Sequence, residues 1–331
     1  MKHTKTILIG STAVVAAVGM GLAVLPAFAA GGPGGGTGAT GAIGVSAKAG
    51  AKAPAVSLFA ASLNGANEVP VQGGPAVNDR DGLALQFVKV QGDKVSVAVK
   101  FRGTDKPTAL HIHQGARGTN GGVKIDFTGL LAKGSSRLDG WTGAVTGTVR
   151  ITDKAVLRAF TADPNGFYAN LHTAQFPGGA VRGQFHKVTG SFPFARALDN
   201  FQASVVKGKQ IYQCRKGADG KLSFQQHDVS AVLGGRIAHS FTAPGSGTPQ
   251  WIAPDRSAVT GKLISKVANG TANIAELDLK ATQSGKKKGL LAGSQEILRL
   301  NTVGGVAPTG SCAKGALKGV SYGADYVFIQ K

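Results

Sequence analysis

The stretch LALQFVKVQGDKVSVAVKF, residues 83–101, decides the fold of the first half of this chain. Over residues 95–101, each valine or phenylalanine alternates with a smaller or polar side chain. This two-residue period is typical of a strand with one buried face. Gly92 and Asp93, which separate this run from the preceding one, favour a hairpin turn. The stretch therefore predicts two neighbouring antiparallel strands.

Similar strand patterns continue to residue 188, and one helix pattern interrupts them. The helix is predicted over Lys154–Ala162, with Thr152 or Asp153 as its N-terminal cap. Seven or eight short strands joined by tight turns predict an antiparallel β-sandwich or barrel over residues 57–188. The further strands are predicted at Ala109–His113, Val123–Phe127, Trp141–Ile151, Gly166–Thr173 and Ala180–Val188.

The first 29 residues have the features of a secretory signal peptide. A basic start precedes an uncharged, mostly aliphatic run over residues 7–25, and Ala27-Phe28-Ala29 supplies the small residues that a signal peptidase reads. Cleavage after Ala29 would make the mature protein secreted and extracytoplasmic. A retained membrane anchor is the alternative, because the apolar run is almost long enough to span a bilayer.

The segment that follows, residues 30–56, is rich in Gly and Ala and has almost nothing to bury. We expect a flexible, disordered linker there. The remaining chain of about 275 residues suits two domains, and we place a second linker at residues 189–198. Fifty glycines, two methionines and two tryptophans favour turn-rich β structure over helical bundles. No later segment is long and apolar enough to span a membrane, so none is expected in the mature form.

The formal net charge of the chain is +20, and the excess is spread over both halves, with one cluster at residues 286–288. Such a surface attracts anionic partners such as cell-wall polymers, extracellular matrix or lipid head groups. A basic exported protein without such a partner is the alternative. The chain has no nucleic-acid-binding motif, and its basic residues are not interleaved with aromatics, so specific nucleic-acid binding is not expected.

Only two cysteines are present, Cys214 and Cys312, and both lie in the second half. In an oxidising compartment such an isolated pair most often forms one disulfide. A metal site is the weaker alternative, because no second Cys or His lies two to four residues from either cysteine. The sequence therefore predicts a disulfide.

Two predicted strands carry histidines on one face. In Leu110-His111-Ile112-His113, alternation places both imidazoles on the same side. In the later strand, the same alternation groups His172 with Tyr168 and Asn170. If the two strands are adjacent, three imidazoles converge in a candidate site for copper or zinc, since neutral imidazole suits both ions. Purely structural hydrogen bonds, or catalysis without a metal, are the alternatives.

A fourth ligand is not obvious from the pattern. Glu68 and His186 are candidates, although Glu68 could instead form an ion pair with Arg182. Three ligands and a water would leave an open coordination position. A four-histidine copper site in this domain would require His186, so no dismutase activity is predicted.

The second half offers a possible pocket but no catalytic pair that spacing identifies. His239, Trp251 and Asp255 could line the pocket, although His239 is as readily interpreted as a packed structural histidine. Tyr212, Trp251 and Tyr326 could form a carbohydrate-stacking surface or belong to the core. The consecutive residues His227 and Asp228 would point to opposite faces of a strand, and so make a poor dyad.

A set of short motifs, in order along residues 57–188, resembles the CHRD domain, a module named for its repeats in chordin. The resemblance covers essentially all of this region and implies a β-sandwich or barrel module of extracellular proteins with no settled general activity. The motifs are Asn67-Glu68-Val69-Pro70, His111-Ile112-His113, Asn120-Gly121-Gly122, Asn170-Leu171-His172-Thr173, and Phe176-Pro177-Gly178-Gly179 with Arg182-Gly183-Gln184.

A second set, along residues 199–331, resembles the secreted family called domain of unknown function 3455. The resemblance implies a β-rich domain with the two cysteines in the family's positions. Two departures stand out: Arg256 replaces the usual glycine, and the alternation in Ala275–Leu279 suggests that one face of that strand is solvated. The motifs are Gly208–Cys214, His239–Phe241, Pro249–Trp251, Asp255–Val259, Ile297–Gly305 and Tyr322–Phe328.

The sequence thus predicts a mostly β protein with two antiparallel sandwich- or barrel-like domains in tandem. Its patterns favour a secreted binding or structural protein, associated with the cell envelope through its basic surface, over an enzyme. The first alternative is a copper- or zinc-binding protein that uses the three histidines. The second is a secreted enzyme with a site between the domains.

Overall fold

The computed structural model describes residues 54–133, 136–138 and 140–331. The predicted signal peptide and all but the last three residues of the predicted first linker lie outside the described residues. The first strand already begins at Val56. Within the described part of the chain, no helix combines the length and apolar character needed to cross a membrane.

The first domain is a ten-stranded antiparallel sheet that curves into a half-barrel. Its strand order is β5-β4-β8-β9-β1-β2-β3-β7-β6, with β10 also paired to β1. The predicted hairpin at residues 83–101 is confirmed as β2 and β3. The strands are β1 (Val56–Asn64), β2 (Leu83–Gln91), β3 (Lys94–Arg102), β4 (Pro107–Gln114), β5 (Val123–Asp126), β6 (Ser136–Leu138), β7 (Trp141–Arg150), β8 (Phe167–Thr173), β9 (Val181–Gln184) and β10 (His186–Val188).

The predicted helix is confirmed as α1 (Lys154–Ala162). Asp153 is the cap, because its carboxylate accepts hydrogen bonds from the backbone N–H groups of Ala155 and Val156. The helix buries Leu157 and Phe160 in the core that covers one face of the sheet. This core includes Phe59, Val97, Ile112 and Leu171.

The second domain is a closed barrel of eight antiparallel strands. Its inward side chains, including Trp251, Ile297 and Tyr326, form a second core. The predicted disulfide is confirmed: Cys214 Sγ and Cys312 Sγ are bonded at 2.03 Å. The strands are β11 (Phe201–Lys216), β12 (Leu222–Leu233), β13 (Ile237–Phe241), β14 (Pro249–Ile252), β15 (Ala258–Val267), β16 (Glu276–Gln283), β17 (Ser294–Gly304) and β18 (Leu317–Gln330).

The outside of the barrel at β17 and β18 packs on the face of the first sheet opposite α1. Leu298, Leu300 and Val327 meet Leu85 and Phe87 there in a third apolar cluster. A buried carboxylate adjoins this cluster. Asp325 accepts hydrogen bonds from the hydroxyls of Ser62 (2.8 Å) and Ser204 (2.6 Å) and from the amide of Asn301 (2.7 Å).

The segment at residues 189–198 also packs against both domains. Phe192, Phe194 and Leu198 lie against the third apolar cluster. The backbone N–H groups of Thr189 and Gly190 donate to the carboxylate of Glu296 on β17.

The expectation of a solvated face on Ala275–Leu279 is wrong. Glu276 is 2 % exposed and Asp278 is 7 % exposed. The alternation is real, but the polar face meets the first domain, where Glu276 contacts Arg117 and His186. Leu279, on the other face, belongs to the barrel core.

Candidate metal centre

The strands β4 and β8 are neighbours, and their register brings the predicted histidines together. His113 lies opposite Tyr168, and Ala109 lies opposite His172. One ring nitrogen from each of His111, His113 and His172 lies within 4.8 Å of the corresponding nitrogens of the other two. The three imidazoles therefore surround one small volume on the sheet face opposite α1.

Backbone carbonyls fix the tautomers of two of these rings. His113 Nδ1 lies 2.9 Å from the carbonyl oxygen of Gly121, and His172 Nδ1 lies 3.0 Å from that of Pro177. A carbonyl oxygen can only accept, so both Nδ1 atoms carry the proton and both Nε2 atoms carry a lone pair. His113 Nε2 is buried and has no hydrogen-bond partner among the described residues.

The third ring, His111, lies between the imidazole of His172 and the side chains of Thr128 and Asp126. Its Nδ1 lies 3.2 Å from His172 Nε2, to which it donates. Its Nε2 lies 3.2 Å from the hydroxyl of Thr128 and 3.5 Å from the carboxylate of Asp126. A His that reaches a carboxylate with one nitrogen and the site with the other has the usual arrangement of a metal-bound histidine.

Two stacked side chains support the site from one side. The ring of Tyr168 stacks on that of His113 with centroids 4.8 Å apart and planes within 6°. The guanidinium of Arg182 covers Tyr168 at 3.5 Å from the ring centroid. Arg182 in turn donates to the side chain of Asn120 and to the carbonyl oxygen of Thr119. The stack holds the imidazole of His113 in one orientation.

Burial lowers the pKa of all three imidazoles, and it lowers that of His113 to about 4. The carbonyl acceptors of His113 and His172 oppose this shift, as does Asp126 at His111. The rings are therefore neutral near pH 7, which is the protonation state that a metal ion requires.

The structure places Glu68, one of the two candidate fourth ligands, outside the cluster of three. Its carboxyl lies near Arg182 and Asn170, but no Glu68–Arg182 ion pair forms among the described residues. Burial raises its pKa to about 8, against the effect of Arg182. Gly179, at φ 136°, leaves room for this carboxyl, because a Cβ there would lie 2.6 Å from both of its oxygens.

The other candidate, His186, belongs to the contact between the domains. Its Nε2 lies 3.0 Å from the carboxylate of Glu276. The predicted continuous strand Ala180–Val188 is interrupted after Gln184, and His186 lies on β10, which pairs with β1 rather than with β8. His186 and Glu276 border a cavity of about 280 Å³.

Of the three residues predicted for a pocket in the second domain, the structure brings two together. The rings of His239 and Trp251 stack with centroids 4.4 Å apart, and both line the barrel lumen. Asp255 is exposed and instead accepts hydrogen bonds from Ser257 and from the backbone N–H of Leu290. It stabilises a turn rather than a pocket.

Several functional groups were missed from the sequence. Asp126 ends a short strand, and only its pairing with His111 reveals its role. The carbonyls of Gly121 and Pro177 carry no sequence signal, since every residue has one. Arg299 could have been found, because strand alternation along β17 puts it on the same face as Ile297, which belongs to the barrel core.

Fold and site together define a two-domain, mostly β protein with a histidine cluster on an open sheet and a lumen in a closed barrel. Residues 59–185 match the family model of the CHRD domain, and residues 225–330 match that of a protein of unknown function (DUF3455). The chain carries these two domains in tandem, which confirms both resemblances. No curated protein and no solved structure matches the chain. The CHRD family consists of extracellular domains, which is consistent with secretion.

Proposed function

We propose that this protein is a secreted binding protein whose ligand is a copper or zinc ion held by His111, His113 and His172. The observation that carries the proposal is the buried, unpartnered Nε2 of His113 in the midst of two other imidazole nitrogens. A buried acceptor without a donor costs free energy, so its persistence has to be explained, and a metal ion would satisfy it.

The distances suit a small ion. His111 Nδ1 and His172 Nε2 are 3.2 Å apart. Two nitrogens at ~2.0 Å from a tetrahedral ion lie roughly 3.3 Å apart, so the separation of this pair suits such an ion once the rings turn their lone pairs toward it. Binding requires the His111 proton to move from Nδ1 to Nε2, where the N–H donates a hydrogen bond to Asp126 or Thr128. Imidazole ligands suit both zinc and copper.

The arrangement of these side chains favours binding of the ion over catalysis. Three protein ligands leave a fourth position for water. Glu68, a candidate general base, does not belong to the cluster, and burial raises its pKa to about 8, so its carboxyl is mostly protonated near pH 7. We therefore assign storage, buffering or delivery of the ion rather than hydrolysis.

Metal loading tests the proposal. Purified mature protein is exposed to Cu(II) or Zn(II), dialysed and assayed by elemental analysis. We expect one ion per chain, lost in His113→Ala and retained in His227→Ala, a half-buried histidine of the second domain. Substoichiometric metal that His113→Ala does not change would overturn the proposal.

A second candidate function is attachment to the cell envelope through basic residues. Lys286, Lys287 and Lys288 are all exposed, so their charges are available to an anionic polymer. Retention on cell-wall material at low ionic strength, reduced by salt and by neutralising these three lysines, is the expected result. No retention at low ionic strength would exclude this role.

A further inference from the structure

The barrel of the second domain encloses a cavity of about 590 Å³, and each of its eight strands contributes to the lining. The floor is buried and includes Trp251 and Tyr326, both 0 % exposed. The mouth is marked by Leu263, which is 53 % exposed, and by Lys262. This volume is in the range of sites that hold small organic ligands.

The wall of the cavity is mostly apolar, and its charged side chains are cationic. Val229, Leu277 and Leu279 supply aliphatic surface. The lining contains Lys262 at the mouth and Arg299 inside, and it contains no Asp or Glu. Arg299 forms no ion pair among the described residues. A guanidinium in an apolar cavity without a carboxylate is an uncompensated charge, which an anionic ligand would neutralise.

Hydrogen-bond donors at the same surface also lack acceptors. Trp251 Nε1 and Gln210 Nε2 are buried without a partner among the described residues, and both residues line the cavity. Gln210 is 4 % exposed. Arg299 donates through Nε and Nη2 to a single carbonyl oxygen, that of Ala275. Among the described residues that line the cavity, the buried side-chain groups without a partner are therefore both donors.

We propose that the barrel lumen binds a small molecule with an apolar body and one carboxylate, with the carboxylate paired to Arg299. The aliphatic wall would bury the body, and the guanidinium of Arg299 would donate to the carboxylate. A neutral molecule would leave Arg299 unpaired, and a cation would be repelled by it. This site is separate from the histidine cluster and does not depend on metal binding there.

Three ligands of equal length test the charge requirement on the unmodified protein. Binding of decanoate, decan-1-ol and decylamine to the unmodified protein is measured by titration calorimetry, and a Trp141→Phe variant reports the same binding through the fluorescence of Trp251. We expect decanoate to bind about ten- to a hundredfold more tightly than decan-1-ol, because one charged hydrogen bond is lost with the alcohol. Decylamine should bind most weakly.

Variants of Arg299 locate the interaction. Arg299→Gln should weaken decanoate binding about ten- to a hundredfold and leave decan-1-ol binding within about threefold. Arg299→Lys should retain most of the preference, and Arg158→Gln, an exposed arginine on α1, should change nothing. Thermal unfolding checks that each variant is folded. No decanoate binding, equal affinity for all three ligands, or decanoate binding that Arg299→Gln leaves unchanged would overturn the proposal.

Discussion

The two domains are built from the same kind of antiparallel strand, yet they offer a ligand different kinds of site. The first sheet stays open, so alternate side chains face two different layers. On the face opposite α1, β4 and β8 present histidines while β1 to β3 dock the second domain. The second sheet closes, so its inward side chains can meet only each other or a ligand. One face of the open sheet therefore carries both the histidine cluster and the contact with the barrel. The inward face of the closed barrel only lines the core and the lumen.

The division of the first sheet's face also explains how its site is held. The histidine cluster is bordered by loops and by the stack of Tyr168 and Arg182. The contact between the domains lies further along the same face, at Ser62 and Asp325. One loop joins the two regions, because Gly121 accepts from His113 and Arg117 of the same loop donates to Glu276.

The largest expected effect comes from the disulfide, which links two segments of the second domain. Cys214 and Cys312 close a loop with a sequence separation of 98. Cys214→Ala with Cys312→Ala should lower the free energy of unfolding of the second domain by about 4 kcal/mol, because the open loop gains entropy when unfolded. Denaturation followed by the fluorescence of Trp251 measures this change.

Trp141, on β7, provides the control within the same chain. Its denaturation curve should move much less than that of Trp251 in the double variant. Equal shifts of both curves would mean that the two domains unfold as one unit. A reducing agent should reproduce the effect in the wild type and have none in the variant.

The next effect, about 3 kcal/mol, concerns the contact between the domains. Glu276 accepts from Arg117 at 2.6 Å and from the backbone N–H of Asn301 at 2.6 Å, and it contacts His186. Glu276→Ala leaves these buried groups without their partner, which is strongly destabilising. We expect the denaturation curves followed at Trp141 and at Trp251 both to move to lower denaturant, because the groups that lose their partner lie in both domains.

The matched control is an exposed ion pair. Asp199 pairs with Arg196 at 2.8 Å, but both side chains are more than half exposed. Asp199→Asn should change stability by less than about 1 kcal/mol. A similar effect of both substitutions would contradict the role assigned to Glu276.

The residues of this contact show where sequence patterns stop being informative. The alternation in Ala275–Leu279 correctly separates two faces, but it cannot say what covers the polar one. Water and a second domain both accept a carboxylate, provided that buried charges find partners. The partners, Arg117 and His186, lie 159 and 90 positions away, beyond the reach of any local pattern.

The histidine cluster shows the opposite case. Period-two alternation puts His111 and His113 on one face and His172 on one face, and both follow from strand geometry alone. The adjacency of β4 and β8 depends on topology, since His111 and His172 are 61 positions apart. Their neighbours Gly121 and Pro177 act through backbone carbonyls, which no residue type encodes. Sequence therefore supplies the ligands of a site more readily than the groups that orient them.

A third effect concerns the pH dependence of the second domain's stability. Burial lowers the pKa of His239 to about 3. The unfolded histidine takes up a proton below about pH 6.5, whereas the folded one does not until about pH 3. This group therefore stabilises the fold fully above pH 6.5, and that stability is lost as the pH falls toward 3. We expect a loss on the order of 3 kcal/mol in the second domain between pH 7 and pH 4.

His239→Phe keeps a ring against Trp251 but cannot ionise, so it should flatten this dependence when Trp251 reports denaturation at several pH values. The readout is the slope with pH and not the absolute stability, because the variant also loses the hydrogen bond to Gln250. His227→Gln serves as the control in the same domain. An unchanged slope in His239→Phe would show that another group carries the acid sensitivity.

The smallest effect, about 1 kcal/mol, concerns helix α1, which has no counterpart among the described residues of the barrel. Helix α1 covers the open sheet, and the carboxylate of Asp153 accepts from Ala155 N at 2.8 Å and from Val156 N at 3.1 Å. Asp153→Ala should destabilise the first domain by about 1 kcal/mol, as the loss of a cap usually does. Thr152→Ala, the other cap that the sequence allowed, should have no effect. Because the barrel closes on itself and needs no covering helix, the denaturation curve of Trp251 should stay in place while that of Trp141 moves.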